Sequence, residues 1–113
     1  MARPEQDLVP VGTVVTANQS FAQSSGVANA NALRCQINVT AASGTTPTLD
    51  VVIEDSLDGA NWNTVGTFAQ KTAAAREVIN ITTPFADRLR ARATVGGTTP
   101  SFTFGVRVAA ITT

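Results

Sequence analysis

The chain has 113 residues, enough for one domain and short of two. An apolar content of 43% excludes a disordered chain, and eight Lys plus Arg against eight Asp plus Glu leave no net charge to attract nucleic acid or a membrane surface. With no His, no Tyr and a single Cys, it lacks His-dependent catalytic triads, His or Cys zinc sites and any intrachain disulfide.

Residues 1–10 carry Pro4 and Pro10 and read as an extended arm ahead of a domain spanning residues 11–113. The start has no hydrophobic run, so no signal peptide is expected, and no apolar stretch reaches the roughly 18 residues a membrane helix needs. Arg3, Leu8, Val9 and Val11 are the arm's candidate partner contacts. Its Leu and Val are too apolar for an idle tail, and an extended apolar segment can add as a strand to a neighbour's sheet edge. The simpler reading makes residues 11–17 the first strand of the domain, with a frayed start. Residues 18–31, rich in Ser, Asn, Gln and Ala, read as a long loop containing a short strand.

Residues 33–41 alternate, with Leu33, Cys35, Ile37 and Val39 on one side, and residues 48–55 repeat this with Leu49, Val51 and Ile53. Gly44-Thr45-Thr46-Pro47 lies between them and reads as a hairpin turn. Cys35 reads as a small core residue. Asp58-Gly59 and Asn61 supply tight-turn chemistry before a strand at residues 62–68, with Trp62 capping the core. An exposed Trp62 serving as a sugar platform is the alternative. Residues 76–82 form a further strand, ended by Pro84. The last two strands, residues 87–95 and 101–111, flank a second copy of the motif, Gly97-Thr98-Thr99-Pro100, and bury Leu89, Phe102, Phe104, Val106 and Val108. About seven short strands at regular spacing predict an all-β fold, a single antiparallel β-sandwich.

The two motifs are offset by 53 positions, whereas the apolar strands before them align at 54, Cys35 with Leu89 and Ile37 with Ala91. A one-residue slip inverts every side chain of a strand, so one of the two loops must absorb it.

Arg88, Arg90 and Arg92 leave one face of one strand. Like charges about 7 Å apart repel unless answered. Asp50, Glu54 and Glu77 can answer them as a cross-strand ladder; alternatively the three arginines are a contact patch for another protein subunit. That face has no aromatic series for stacking bases, so no nucleic-acid partner is expected. Asp50, Glu54, Asp55 and Asp58 read as a solvated acidic face, with a calcium site as the alternative. No glycine-rich phosphate loop with its Lys is present. No catalytic residue, metal, cofactor or membrane partner is therefore expected, and the chain reads as a non-enzyme.

Residues 50–68, Asp-Val-Val-Ile-Glu-Asp-Ser-Leu-Asp-Gly-Ala-Asn-Trp-Asn-Thr-Val-Gly-Thr-Phe, and residues 89–104, Leu-Arg-Ala-Arg-Ala-Thr-Val-Gly-Gly-Thr-Thr-Pro-Ser-Phe-Thr-Phe, resemble small β-rich structural proteins of tailed bacteriophages. The resemblance covers roughly residues 33–108 and carries no site motif. It implies a virion protein made in the host cytoplasm, foremost a head decoration (cement) protein. The implied partners are the major capsid protein or other virion subunits, with homo-oligomers on the particle. A neck or tail subunit is the alternative within that class, and a carbohydrate-binding module the alternative outside it.

Overall fold

The computed structural model describes residues 5–21 and 30–111. Six strands form one antiparallel sheet: β1 (Glu5–Val15), β2 (Gln19–Ser20), β3 (Ala32–Ser56), β4 (Asn63–Thr67), β5 (Ala75–Ile81) and β6 (Arg88–Ile111). The all-β antiparallel expectation holds. The hairpins do not. Residues 33–41 and 48–55 belong to one strand of 25 residues, and residues 87–95 and 101–111 to another of 24, apart from Asp87 just ahead of it. These two strands pair with each other, from Ala32↔Ile111 to Ser56↔Arg88.

A flat strand of that length spans about 80 Å at ~3.3 Å per residue. The longest dimension of the protein is 44 Å. Both strands therefore fold back, and the Gly-Thr-Thr-Pro motifs are the corners. Gly44 and Gly97 have φ of +114° and +105°, and Thr46 and Thr99 both have φ of +45°. Pro47 and Pro100 follow, each without an N–H for the ladder. The corners lie against each other, with Thr45 opposite Thr98. A Cβ on Gly44 would stand 2.8 Å from the Thr99 carbonyl oxygen, and one on Gly97 would stand 2.7 Å from that of Thr46. Each glycine is the seat for the other strand's corner.

The fold-back makes two layers. One contains β1, residues 101–111 of β6, residues 32–43 of β3, and β5; the other contains β2, residues 88–96 of β6, residues 48–56 of β3, and β4. Their inner faces share one core, which includes Leu33, Cys35, Ile37, Val39, Leu49, Val51, Ile53, Leu89, Phe102, Phe104, Val106 and Val108, as the alternation predicts. Across the layers, Phe21 meets Phe104 edge-on with ring centroids 6.0 Å apart, and β4's Gly66 faces the side chains of β5's Ile79 and Ile81.

The slip of one residue is absorbed inside a strand. The ladder steps from Val39↔Phe104 to Ala41↔Thr103, leaving Thr40 as the extra residue of a β-bulge. On either side of it the two long strands are equivalent. The pair Cys35↔Val108 has its counterpart in Asp55↔Leu89, and Val39↔Phe104 in Val51↔Ala93. The shorter strands follow the same relation. β4 bulges at Val65, opposite the step from Ile53 to Glu54; β1 bulges at Leu8, opposite the equivalent step from Val106 to Arg107. Lys71 bridges Leu49 where Val15 pairs with Phe102. β5 adds beside the early part of β3 as β2 adds beside the early part of β6. The protein thus has an approximate internal two-fold axis through the Thr45–Thr98 crossing. It relates β3-β4-β5 to β6-β1-β2, the second set closed in space by the pairing of Glu5 with Ala109.

Glu5–Pro10, predicted to stand off as an arm, is the first part of β1 and pairs with β6. Pro10 is accommodated because β1 is an edge strand and Pro10, Val11 and Gly12 fall in an irregular step between Val9↔Val106 and Thr13↔Phe104, where Val11 packs over Gly105.

Two measurements check this architecture. Gly44→Ala and Gly97→Ala should each lower stability by at least ~1–3 kcal/mol in urea unfolding, from overpacking against backbone. Gly12→Ala, with the same sign of φ (+89°) and open space around it, should cost less than either. A circular permutant with Thr113 linked to Met1 and the chain opened between Thr83 and Pro84 should retain the β-sheet spectrum and one cooperative thermal transition. Loss of cooperative unfolding in the permutant would count against the closure of the second unit.

Candidate functional site

The three predicted arginines share the outer face of the second layer. Arg90 lies opposite Glu54 in the ladder, and its Nε donates to Glu54 Oε1 at 2.8 Å, while Arg92 Nε donates to Oε2 of the same carboxylate at 3.1 Å. The Arg90 guanidinium also lies over the Trp62 ring, 4.3 Å from its centroid, an arrangement that favours a cation. Arg88 donates to the Leu57 carbonyl at 2.8 Å. Glu54 is thereby only 6% exposed although it sits on the outer face. Of the three acids predicted to answer the arginines, Glu54 does so. Asp50 instead accepts from Gln70 at 3.1 Å, and Glu77 pairs with Lys71 and accepts from the Ala69 N–H at 2.9 Å.

Trp62 does not cap the core. It is half-buried on the outer face beneath Arg90, because β4 begins at the next residue and carries the chain along the edge of the layer. The turn before it has the predicted chemistry. Asp58 Oδ1 accepts from the backbone of Ala60 and Asn61, both at 2.8 Å, and Ser56 Oγ accepts from Gly59 at 2.7 Å. These N–H donors hold the Asp58 carboxyl well below the usual carboxylate range. Asp55 lies at the inner end of a cleft lined also by Leu57, Asn63, Pro84, Phe85 and Ala86, where its Oδ2 accepts from the Ala86 N–H at 2.8 Å.

The arm candidates separate. Arg3 lies outside the described residues. Leu8 and Val9 are 4% and 0% exposed and belong to the protein's own core, so they are not available to a partner. Val11 is 71% exposed over Gly105, and Val14 is 57% exposed. On this layer Arg107 donates to Glu5 at 2.9 Å and Arg34 to Asn80 at 3.0 Å, both exposed pairs of small net worth.

Two groups lie inside. Cys35 is buried, and burial pushes its thiol up to about 12, the state of an inert core cysteine. Lys71, unremarkable in the sequence, is buried with its ammonium between Glu77 and the Ala69 carbonyl. Among the described residues no three His, Cys, Asp or Glu side chains converge as a metal site.

Neither a family model nor a curated protein matches the sequence. Solved structures do share its fold. The PBSX exported protein XepA is similar over 97% of this chain and 37% of its own, with a TM-score of 0.65 and 13% identity. A protein of the T13 IBDV viral particle is similar over 98% of this chain and 31% of its own (TM-score 0.58, 12% identity). One from the infectious bursal disease virus Gx strain covers 96% and 32% (TM-score 0.54, 12% identity). The chain spans about a third of the length of these proteins. At such identities the likeness is one of fold.

Removing the shared carboxylate tests the ladder. Glu54→Gln should destabilise the protein by ~1.5–3 kcal/mol, the range for charged hydrogen bonds, because it leaves Arg90 and Arg92 facing each other. Urea unfolding of Glu54→Gln beside Asp50→Asn, whose carboxylate meets no arginine, measures the difference.

Proposed function

We propose that this protein is a structural component of a virus particle and that it decorates the outside of a capsid shell, binding the major capsid protein or other shell subunits in many copies. It acts there by binding and not by catalysis. The observation that supports this reading is the fold: nearly the whole chain matches part of a protein in the infectious bursal disease virus particle, so this sheet arrangement occurs in a component of at least one virus particle. The resemblance of residues 33–108 to small tailed-phage structural proteins supports the same class. Exposed Val11 and Val14 on an edge strand are apolar surface of the kind that protein partners cover.

The arginine face supports a protein partner over nucleic acid. Its charges are spent on Glu54, Trp62 and the Leu57 carbonyl, and nonspecific nucleic-acid affinity needs several free phosphate contacts. A carbohydrate site on Trp62 is disfavoured because the ring face is stacked against Arg90.

Quantitative mass spectrometry of purified particles tests the reading. Hundreds of copies per particle are expected for a decoration protein. A number of roughly six to a few dozen, matching the cyclic symmetry of a neck or tail, would move it to those parts. Absence from particles would end the virion reading.

A further inference from the structure

The double corner is the part of the surface where the internal two-fold relation also holds in sequence. Gly44, Thr45, Thr46 and Pro47 are matched residue for residue by Gly97, Thr98, Thr99 and Pro100. The axis passes between Thr45 and Thr98, and Gly44, Thr45, Thr46, Gly97, Thr98 and Thr99 are all exposed around it. Away from the corners the equivalent outer positions have diverged: Glu54 corresponds to Arg107 and Asp50 to Thr103.

Packing explains the glycines, which seat the opposite strand, and the prolines, which end the ladder. It does not explain the threonines. A β-branched residue at φ of +45° is an outlier where Gly, Asn or Asp is ordinary, and such strain persists only when something else requires it. Here it is kept twice, with the same hydroxyl contact each time: Thr46 Oγ1 donates to the Thr45 carbonyl and Thr99 Oγ1 to that of Thr98, both at 2.8 Å.

A second observation is independent of the backbone. Residues 35–49 and 93–106 contain no Asp, Glu, Lys or Arg, although sixteen such residues are spread through the rest of the chain. The crossing is thus an uncharged exposed patch, and it includes Thr40, Ala41 and Ser43 as well as the four threonines. Charged residues are the ones depleted at the centres of protein interfaces.

We infer that the double corner is a docking surface, and that its partner is a two-fold-related pair of protein subunits on whose axis the protein's own axis lies. The inference rests on the virion reading and adds the place of attachment. A surface with two copies of one contact set about an axis can present the same groups to each member of a two-fold-related pair.

The test uses full-length protein and particles lacking it. Thr45→Arg and Thr98→Arg, each with an unchanged thermal midpoint, should weaken binding at least tenfold and by similar factors. The double variant should not bind, and Ala60→Arg, on the exposed turn beyond Ser56 at the far end of the ladder, should bind as the parent does. Thr45→Cys and Thr98→Cys, each labelled with a thiol-directed photocrosslinker while Cys35 stays buried, should cross-link to the same segment of the shell subunit. This second measurement also serves if an arginine variant fails to fold. If the parent binds and both arginine variants bind equally well, the corner is not the docking surface and the virion reading stands. Unequal cross-linked segments would overturn the two-fold partner. A change in self-association by sedimentation, with particle binding intact, would assign the patch to a second copy of this chain. If the parent binds no particle, both readings fall.

Discussion

The structure depends on the reciprocal seating of two glycines. Gly44 lets the backbone of Thr98–Pro100 approach, and Gly97 does the same for Thr45–Pro47. The contact is backbone against backbone, so a single methyl group on either side collides with atoms that have no freedom to move aside. With it, two strands of 25 and 24 residues bend at the same level and carry their partner strands into two facing layers. Without it, the same alternation of apolar residues would build a long flat sheet with one greasy face. The aromatic side chains placed next to the corner follow from this constraint. Phe102 and Phe104 lie just beyond Pro100 and are completely buried.

The internal two-fold relation explains features that look arbitrary singly. Leu8 and Val65 are bulged because both edge strands meet their long strand at equivalent steps. A bulge on an edge strand adds local twist and blunts the edge against unwanted pairing. The relation is one of backbone, and the side chains have specialised on top of it. The second layer holds its outer face together with one carboxylate shared by two arginines and an indole. The first layer does so with looser pairs, Arg107 with Glu5 and Arg34 with Asn80. Val15 occupies as a core residue the position that Lys71, tied to Glu77, fills in the other layer.

Much of this was legible in the sequence because period-two alternation is a local signal. Phe102, Phe104, Val106, Leu89, Ile37, Val51 and Ile53 were named as core from alternation alone, and all are buried. What failed was the assignment of partners. Gly-Thr-Thr-Pro has the same local chemistry in a hairpin turn and in a mid-strand corner. The difference lies in whether the flanking strands pair with each other or with a strand some fifty residues away, and no sequence window contains that. The one-residue offset between the two copies was visible, yet its location at Thr40 was not, because a bulge has no required residue type. Pro4 and Pro10 make residues 1–10 read as an extended arm. On the edge strand Pro10 falls in the unpaired step between Val9 and Thr13, and the pairing resumes on either side of it. Of the candidate interaction residues, the arginines follow from their spacing, and Glu54 is one of three acids that the sequence sets against them without choosing among them. The exposed corner does not follow from the sequence, where the two motifs read as separate hairpin turns.

The topology also bears on how the protein assembles. Neither long strand has its main partner next to it in sequence, so the central ladder forms only when residues around Thr45 and Thr98 meet across the intervening chain. Closing that loop costs entropy before any of the ladder's contacts repay it, and folds dominated by such pairings are slow to form. β4 is different: it returns on β3 through the turn held by Ser56 and Asp58 and pairs within a few residues of it. That edge of the sheet is thus built from local contacts, whereas the crossing needs β6. Once the corners are seated, opening them means separating both layers at once, because each long strand belongs to both. A fold built this way resists partial opening at its centre, and its weakest bonds are confined to the short strands at the rim.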